Sequence, residues 1–215
     1  MKIKLSRGAQ QQGVVFGNAY PKYTSKNPLV KWLMKNFESH IEDLLKQISP
    51  ETIHEVGCGE GFWVLHWRKK GFKIRGSDFS SLVIDIAKKN AEQMGADPNL
   101  FSVRSIEELN TTEDSAECIL CLEVLEHLEK PQFALEKLKA LEARHYVFSV
   151  PQEPVWRILN VLRGKYLTSF GNTPGHLQHW SRGQFVKFIS EHFRVEKTVG
   201  PFPWTVVLCS PKSQT

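Results

Sequence analysis

From Leu29 onward the apolar residues return at helical intervals. Leu29, Trp32, Leu33, Phe37, Ile41, Leu44 and Leu45 fall on one side of a helix that should run to about Gln47. Asn27 is its expected cap, and Pro28 takes the first helical position, where a missing N–H is harmless. The period then changes. Short apolar runs at Thr52–Val56, Lys73–Ser77, Phe101–Arg104, Ala116–Leu122 and His145–Val150 alternate with helical patterns at Gly61–Lys70, Ser80–Met94 and Pro131–Glu142. Strand–helix alternation of this kind predicts a parallel sheet covered on both faces. After a helix at Ser181–His192, two strand-like runs, "FRVEKTVG" and "WTVVLCS", flank a Pro-rich turn and predict an antiparallel hairpin. The expected fold is α/β, a Rossmann-like, seven-stranded, mostly parallel sheet with that hairpin at its C-terminal end. Residues 1–26 read as a polar arm, and 27–215 as one domain with an insertion at 151–180.

A chain of 215 residues suits one such domain. No apolar stretch approaches a membrane span, and "MKIKLSRGAQQQG" has no apolar core of a secretory signal. Cys58, Cys118, Cys121 and Cys209 are too few and too irregular for a disulfide framework, so a cytoplasmic protein is expected. The net charge of +5 is unevenly placed. Residues 48–154 hold twelve Lys/Arg against eighteen acids, net −6, whereas residues 155–182 hold four basic residues and no acid. An acidic centre between basic flanks reads as ordinary solvated surface or, more sharply, as an anionic partner at the basic segments (a phospholipid surface, an anionic substrate or RNA), and a total of +5 gives little ground for DNA binding.

The chemistry gathers where ligands bind in open α/β sheets, beyond the carboxyl ends of the strands. "EVGCGEGFW" (55–63) follows the first strand, Asp78 the second, "RSIE" (104–107) the third and "LEVLEH" (122–127) the fourth. A phosphate-binding P-loop needs a lysine followed by Ser or Thr, and Phe62–Trp63 stand there instead. A dinucleotide site wants G-x-G-x-x-G, whereas the spacing here is G-x-G-x-G, with Glu60 where phosphates would lie. S-adenosylmethionine (SAM) carries no phosphate but does carry a sulfonium and an ammonium, and it suits a glycine bend flanked by acids.

"HEVGCGEGFW", "GSDFS" and "CLEVLEHLEKP", in that order and spacing, resemble the first three signature regions of class I SAM-dependent methyltransferases, of the small bacterial kind similar to ubiquinone-biosynthesis O-methyltransferases. The resemblance spans residues 50–150. It implies that Glu55, Gly57, Cys58 and Gly59 cradle the methionine and ribose parts of SAM. It further implies that Asp78 accepts from the ribose hydroxyls with Phe79 packed on the adenine, that Ser105 and Ile106 contact the adenine, with Glu107 beside them, and that Leu122 and Glu123 line the sulfur. The implied activity is methyl transfer to a small-molecule acceptor at oxygen, releasing S-adenosylhomocysteine (SAH). An NAD(P)-dependent oxidoreductase on a related fold, or a SAM-binding protein without turnover associated with lipid or RNA, are the alternatives.

In "ExxEH", a helical turn beginning at Glu123 would bring Glu126 and His127 round to the same face. His127 is taken as the catalytic general base. A divalent metal on Glu123, Glu126 and His127, with a further ligand from His176 or His179, is the less favoured reading. The insertion helix in "EPVWRILNVLRGKYL" sets Arg157, Asn160 and Arg163 on one face and apolar residues elsewhere, so it reads as a lid or, through 155–165, as a peripheral contact with a membrane that would suit a lipid-like acceptor. His176, His179 and Trp180, with Tyr20 and Tyr23 of the arm, complete the acceptor-side candidates.

Overall fold

Seven strands form one sheet: β1 (Ile53–Val56), β2 (Ile74–Asp78), β3 (Phe101–Val103), β4 (Cys118–Leu122), β5 (His145–Pro151), β6 (Phe193–Val199) and β7 (Trp204–Pro211). Their spatial order is 3-2-1-4-5-7-6. β1 to β5 are mutually parallel, and β7 runs antiparallel to both β5 and β6. The computed structural model describes residues 3–6, 10–11, 14–15, 22–164 and 166–212. Gln10–Gln11 and Val14–Val15 make a separate two-stranded antiparallel pair. Tyr20 lies outside the described residues.

The helices are α1 (Pro28–Ile48), α2 (Phe62–Lys69), α3 (Ser81–Gln93), the single turn α4 (Thr111–Asp114), α5 (Pro131–Lys139), α6 (Val155–Leu162) and α7 (Arg182–His192). Asn27 is the cap of α1, as the sequence proposes, and α3 and α7 are capped by serines. Asn27 accepts from the Leu29 N–H, Ser80 from that of Val83 and Ser181 from that of Gln184. Helices α1, α2 and α3 cover one face of the sheet, while α5 and α7 cover the other. Phe37, Ile41, Leu44 and Leu45 of α1 are buried, each contributing about 2 kcal/mol of transfer free energy. No described helix is long and apolar enough to cross a membrane.

The strand order reverses between β1 and β4, the point beyond whose strand ends open α/β sheets form their ligand crevice. Its base is fixed by a buried polar clasp. The His54 ring donates from Nδ1 to the Asp114 carbonyl (2.8 Å) and accepts at Nε2 from the Ser77 hydroxyl (2.8 Å). Burial holds its pKa down at about 4, so the ring is neutral and locks β1 to β2 just below the site.

Candidate active site

The β1–α2 bend takes left-handed backbone at Gly57, Gly59 and Gly61 (φ 77°, 54° and 79°). Packing, as well as ligand approach, demands two of these glycines. A Cβ on Gly57 would lie 2.4 Å from Val124 Cγ2, and one on Gly61 would lie 2.5 Å from the Phe101 ring. The Gly59 N–H donates to Asp78 Oδ2 (3.1 Å), and Asp78 Oδ1 accepts from the Ser80 N–H (3.1 Å). These bonds pin the Asp78 carboxylate across the β1–β2 tips and leave lone pairs for a diol. Burial raises its pKa. Glu55 is buried, its Oε2 has no partner among the described residues, and burial followed by the Asp78 charge pushes its pKa well up. A cationic ligand group would relieve both acids. Cys58 is buried against Gly76.

On the β2–β3 side Phe79 and Val103 leave apolar side chains exposed, as a flat heterocycle would require. Ser105 opens the 3-10 turn Ile106–Glu108, and its N–H donates to Glu108 Oε2 (3.0 Å). Ile106 is half-buried beneath that turn, and Glu107 is exposed. Leu122 is buried at the β4 tip.

Glu123 departs from the expectation. Its backbone is left-handed (φ 57°), so it stands outside the 3-10 turn Leu125–His127 and does not share a face with Glu126 and His127. Its carboxylate instead accepts from Lys22 of the arm (2.6 Å). The residue that joins Glu126 and His127 is His176 of the insertion. Ligand atoms of these three side chains lie within 4.8 Å of one another. The backbone brings them there: the Leu177 and Gln178 N–H groups both donate to the Glu126 carbonyl (2.8 and 3.0 Å), and the His127 ring donates from Nδ1 to the Gly175 carbonyl (2.9 Å). That bond leaves His127 Nε2 with its lone pair free, the orientation that metal-binding histidines adopt. Both Glu126 oxygens are buried without a hydrogen-bond partner among the described residues. Burial, with Glu123 next, pushes its pKa well up. Burial also lowers the pKa of His127, and that of His176 to about 3, so both imidazoles are neutral. A buried, unpartnered carboxylate facing two neutral imidazoles fits a divalent cation. His179 stands apart, 3.7 Å from Glu153.

Sequence reasoning did not single out Lys22 or Trp204. Tyr23 stacks on Phe62 (ring centroids 3.9 Å apart) and lies edge-on to Trp63 (5.5 Å), so this residue of the arm lies against the start of α2, just after the glycine bend. Further up the arm, the Ser6 N–H and hydroxyl both donate to Glu60 Oε1 (3.0 and 2.6 Å). Glu60, which the sequence sets in the place of phosphates, thus holds the arm. Trp156 of α6 packs on Trp204 (5.6 Å) and lies 6.5 Å from His176, giving the site an aromatic wall. Trp180 stacks instead on Phe188 of α7.

Helix α6 is turned opposite to an ordinary amphipathic helix. Asn160 is buried and donates to the Gly171 carbonyl (2.8 Å) and Thr173 Oγ1 (3.1 Å), while Arg157 Nε donates to the Phe170 carbonyl (3.2 Å). Ile158, Val161 and Leu162 face solvent, as do Leu167 and Phe170 in the loop beyond.

Residues 53–142 match the family model described as a methyltransferase domain. That match and the 3-2-1-4-5-7-6 sheet, with Gly57, Gly59 and Asp78 at the tips of β1 and β2, make this part of the chain similar to the domain of class I SAM-dependent methyltransferases. Among curated relatives it is similar to ubiquinone biosynthesis O-methyltransferase of Coxiella burnetii, 36% identical over 87 residues, 40% of this chain and 37% of that protein. The protein of the same name from Alkalilimnicola ehrlichii is 24% identical over 131 residues, 60% of this chain and 53% of that one. The matches thus span about half or less of these relatives' length. Among solved structures, magnesium protoporphyrin IX methyltransferase from Synechocystis PCC 6803 with bound SAH superposes with a TM-score of 0.65 at 17% identity, over 89% of this chain and 92% of that one. The small RNA methyltransferase HEN1 gives 0.61 at 20% identity, over 83% of this chain and 25% of that one.

Proposed function

We propose that this protein transfers a methyl group from SAM to a hydroxyl oxygen of a small, flat, phenol-like acceptor, with a divalent metal held by Glu126, His127 and His176. The buried Glu126 carboxylate, unpartnered yet faced by two neutral imidazoles, carries this reading. When bound, the metal would lower the pKa of the acceptor hydroxyl and supply the positive charge that the carboxylate lacks. The chain's own part is alignment. Asp78 takes the ribose hydroxyls, Glu55 and the Gly57–Gly59 bend hold the methionine end, Phe79 covers the adenine with Ser105 and Ile106 at its rim, and Leu122 stands by the sulfur. Trp156 and Trp204 give the acceptor ring a wall. Because the sulfonium is already an activated donor, orienting the acceptor oxygen against the methyl carbon supplies much of the rate. The names of the curated relatives support oxygen as the acceptor atom. The metal-free alternative is favoured by the open Nε2 of neutral His127, which would itself take the hydroxyl proton.

Incubation with labelled SAM and a panel of phenols and catechols, with added Mn2+ or with chelator, separates the two. The metal reading expects turnover with Mn2+ and a loss of about 10^3-fold under chelation. Equal rates in both arms would leave His127 as the base.

The arm (1–26) and the insertion (151–180) are proposed as the two covers of a domain spanning 27–215, and the four free, buried thiols support a cytoplasmic protein. The outward apolar side of α6, in a segment with four basic residues and no acid, supports peripheral contact with anionic lipid and hence a lipid-like acceptor. Vesicles of anionic phospholipid should co-sediment the protein, and L162D combined with F170D should weaken binding by about tenfold or more. Unchanged sedimentation would assign α6 to the lid alone.

A further inference from the structure

Lys22 presents a cation to the site from a segment outside the domain core. Its ammonium lies 2.6 Å from Glu123 Oε1, and both side chains are largely withdrawn from water (17% and 13% exposed). Glu123 is the carboxylate at the β4 tip, on a backbone that L-residues adopt at a cost, three residues before Glu126. The Lys22 charge is felt at Glu126, His127 and His176, the three groups that converge on the candidate metal position. Next along the arm, Tyr23 is clamped on Phe62 and Trp63 of α2, and its hydroxyl lies in the field of Glu123, Glu55 and Glu60. The Lys22–Thr24 turn therefore reaches both the metal side and the SAM side of the crevice.

We propose that Lys22 is a tethered counter-cation: its ammonium on Glu123 competes with the site's own cationic ligands, so that the arrival of either loosens the hold of the other. This rests on the methyltransferase reading above and adds a gate to it. The physics is charge exclusion. An ammonium on Glu123 and a divalent ion on Glu126, His127 and His176 repel one another across a poorly hydrated space, so each weakens the other's hold by the same factor. The sulfonium of SAM is the second cation that could displace Lys22, and SAH, which lacks that charge, serves as its control.

The test compares wild type, Lys22→Met, which keeps the apolar stem, and Lys22→Arg, which keeps the charge. Free Mn2+ is followed by its electron paramagnetic resonance signal. Lys22→Met should bind Mn2+ about tenfold more tightly than wild type, and Lys22→Arg should bind it like wild type. Trypsin cleavage after Lys22 should be slow in the ligand-free protein. It should accelerate on saturation with Mn2+, and in Glu123→Gln without any ligand. Unchanged or weaker Mn2+ binding in Lys22→Met overturns the metal-driven gate. If Mn2+ binds neither protein, the metal assignment fails by itself. The gate is then decided by SAM and SAH titrations: Lys22→Met must raise the preference for SAM over SAH several-fold, and an unchanged ratio ends the proposal.

Discussion

Glu126→Gln is expected to abolish tight Mn2+ binding and to lower kcat/KM by about 10^3-fold, the scale of the charge stabilisation a metal lends to a developing alkoxide. The amide matches the carboxylate in volume, and Glu126 sits in a site held by backbone bonds from Leu177 and Gln178 to its own carbonyl, which the substitution leaves alone. The fold should therefore survive. The melting temperature should hold or rise, because the ligand-free protein carries a buried carboxyl group with two unpartnered oxygens. Titration with Mn2+, steady-state kinetics and a thermal melt check the three parts. Undiminished activity in Glu126→Gln would remove the metal and leave His127 to act alone.

Asp78→Ala is expected to weaken SAH binding by at least about 10^2-fold, read by calorimetry. Two charge-assisted hydrogen bonds to a ribose diol would be lost, at about 1.5–3 kcal/mol each. The Gly59 and Ser80 N–H groups would also lose the acceptor that now fixes the bend. Asp78→Asn retains one acceptor oxygen and should fall between the two. The wild-type affinity should weaken on the acid side sooner than for an ordinary aspartate. Burial raises this carboxyl's pKa, so it takes up its proton at a higher pH and ceases to be an acceptor on both oxygens. An SAH affinity in Asp78→Ala within about threefold of wild type would place the ribose elsewhere.

Much of the frame was legible before any coordinates. The helical interval from Leu29, the cap at Asn27 and the short apolar runs ending at Val56, Asp78 and Leu122 are local patterns, and local patterns set local structure. The glycine bend was legible as a bend, but its reason was not. Gly57 is confined by Val124, 67 positions along the chain, and no spacing rule connects them. The sequence also could not tell which way α6 would roll. Its polar face could serve a lid or a membrane contact; Asn160 is buried, where it donates to Gly171 and Thr173, and Ile158, Val161 and Leu162 are left outside.

By itself the sequence determined the elements, their order and the four strand tips that carry the candidate residues, because hydrophobic period and turn residues act over a few positions. The tertiary structure decided which side chains meet there. His176 rather than Glu123 joins Glu126 and His127, and Lys22 pairs with Glu123 from the N-terminal arm. Those meetings depend on loop closure over 50 and 101 positions, where the outcome is set by which buried charges and carbonyls are left in need of a partner once the sheet has formed.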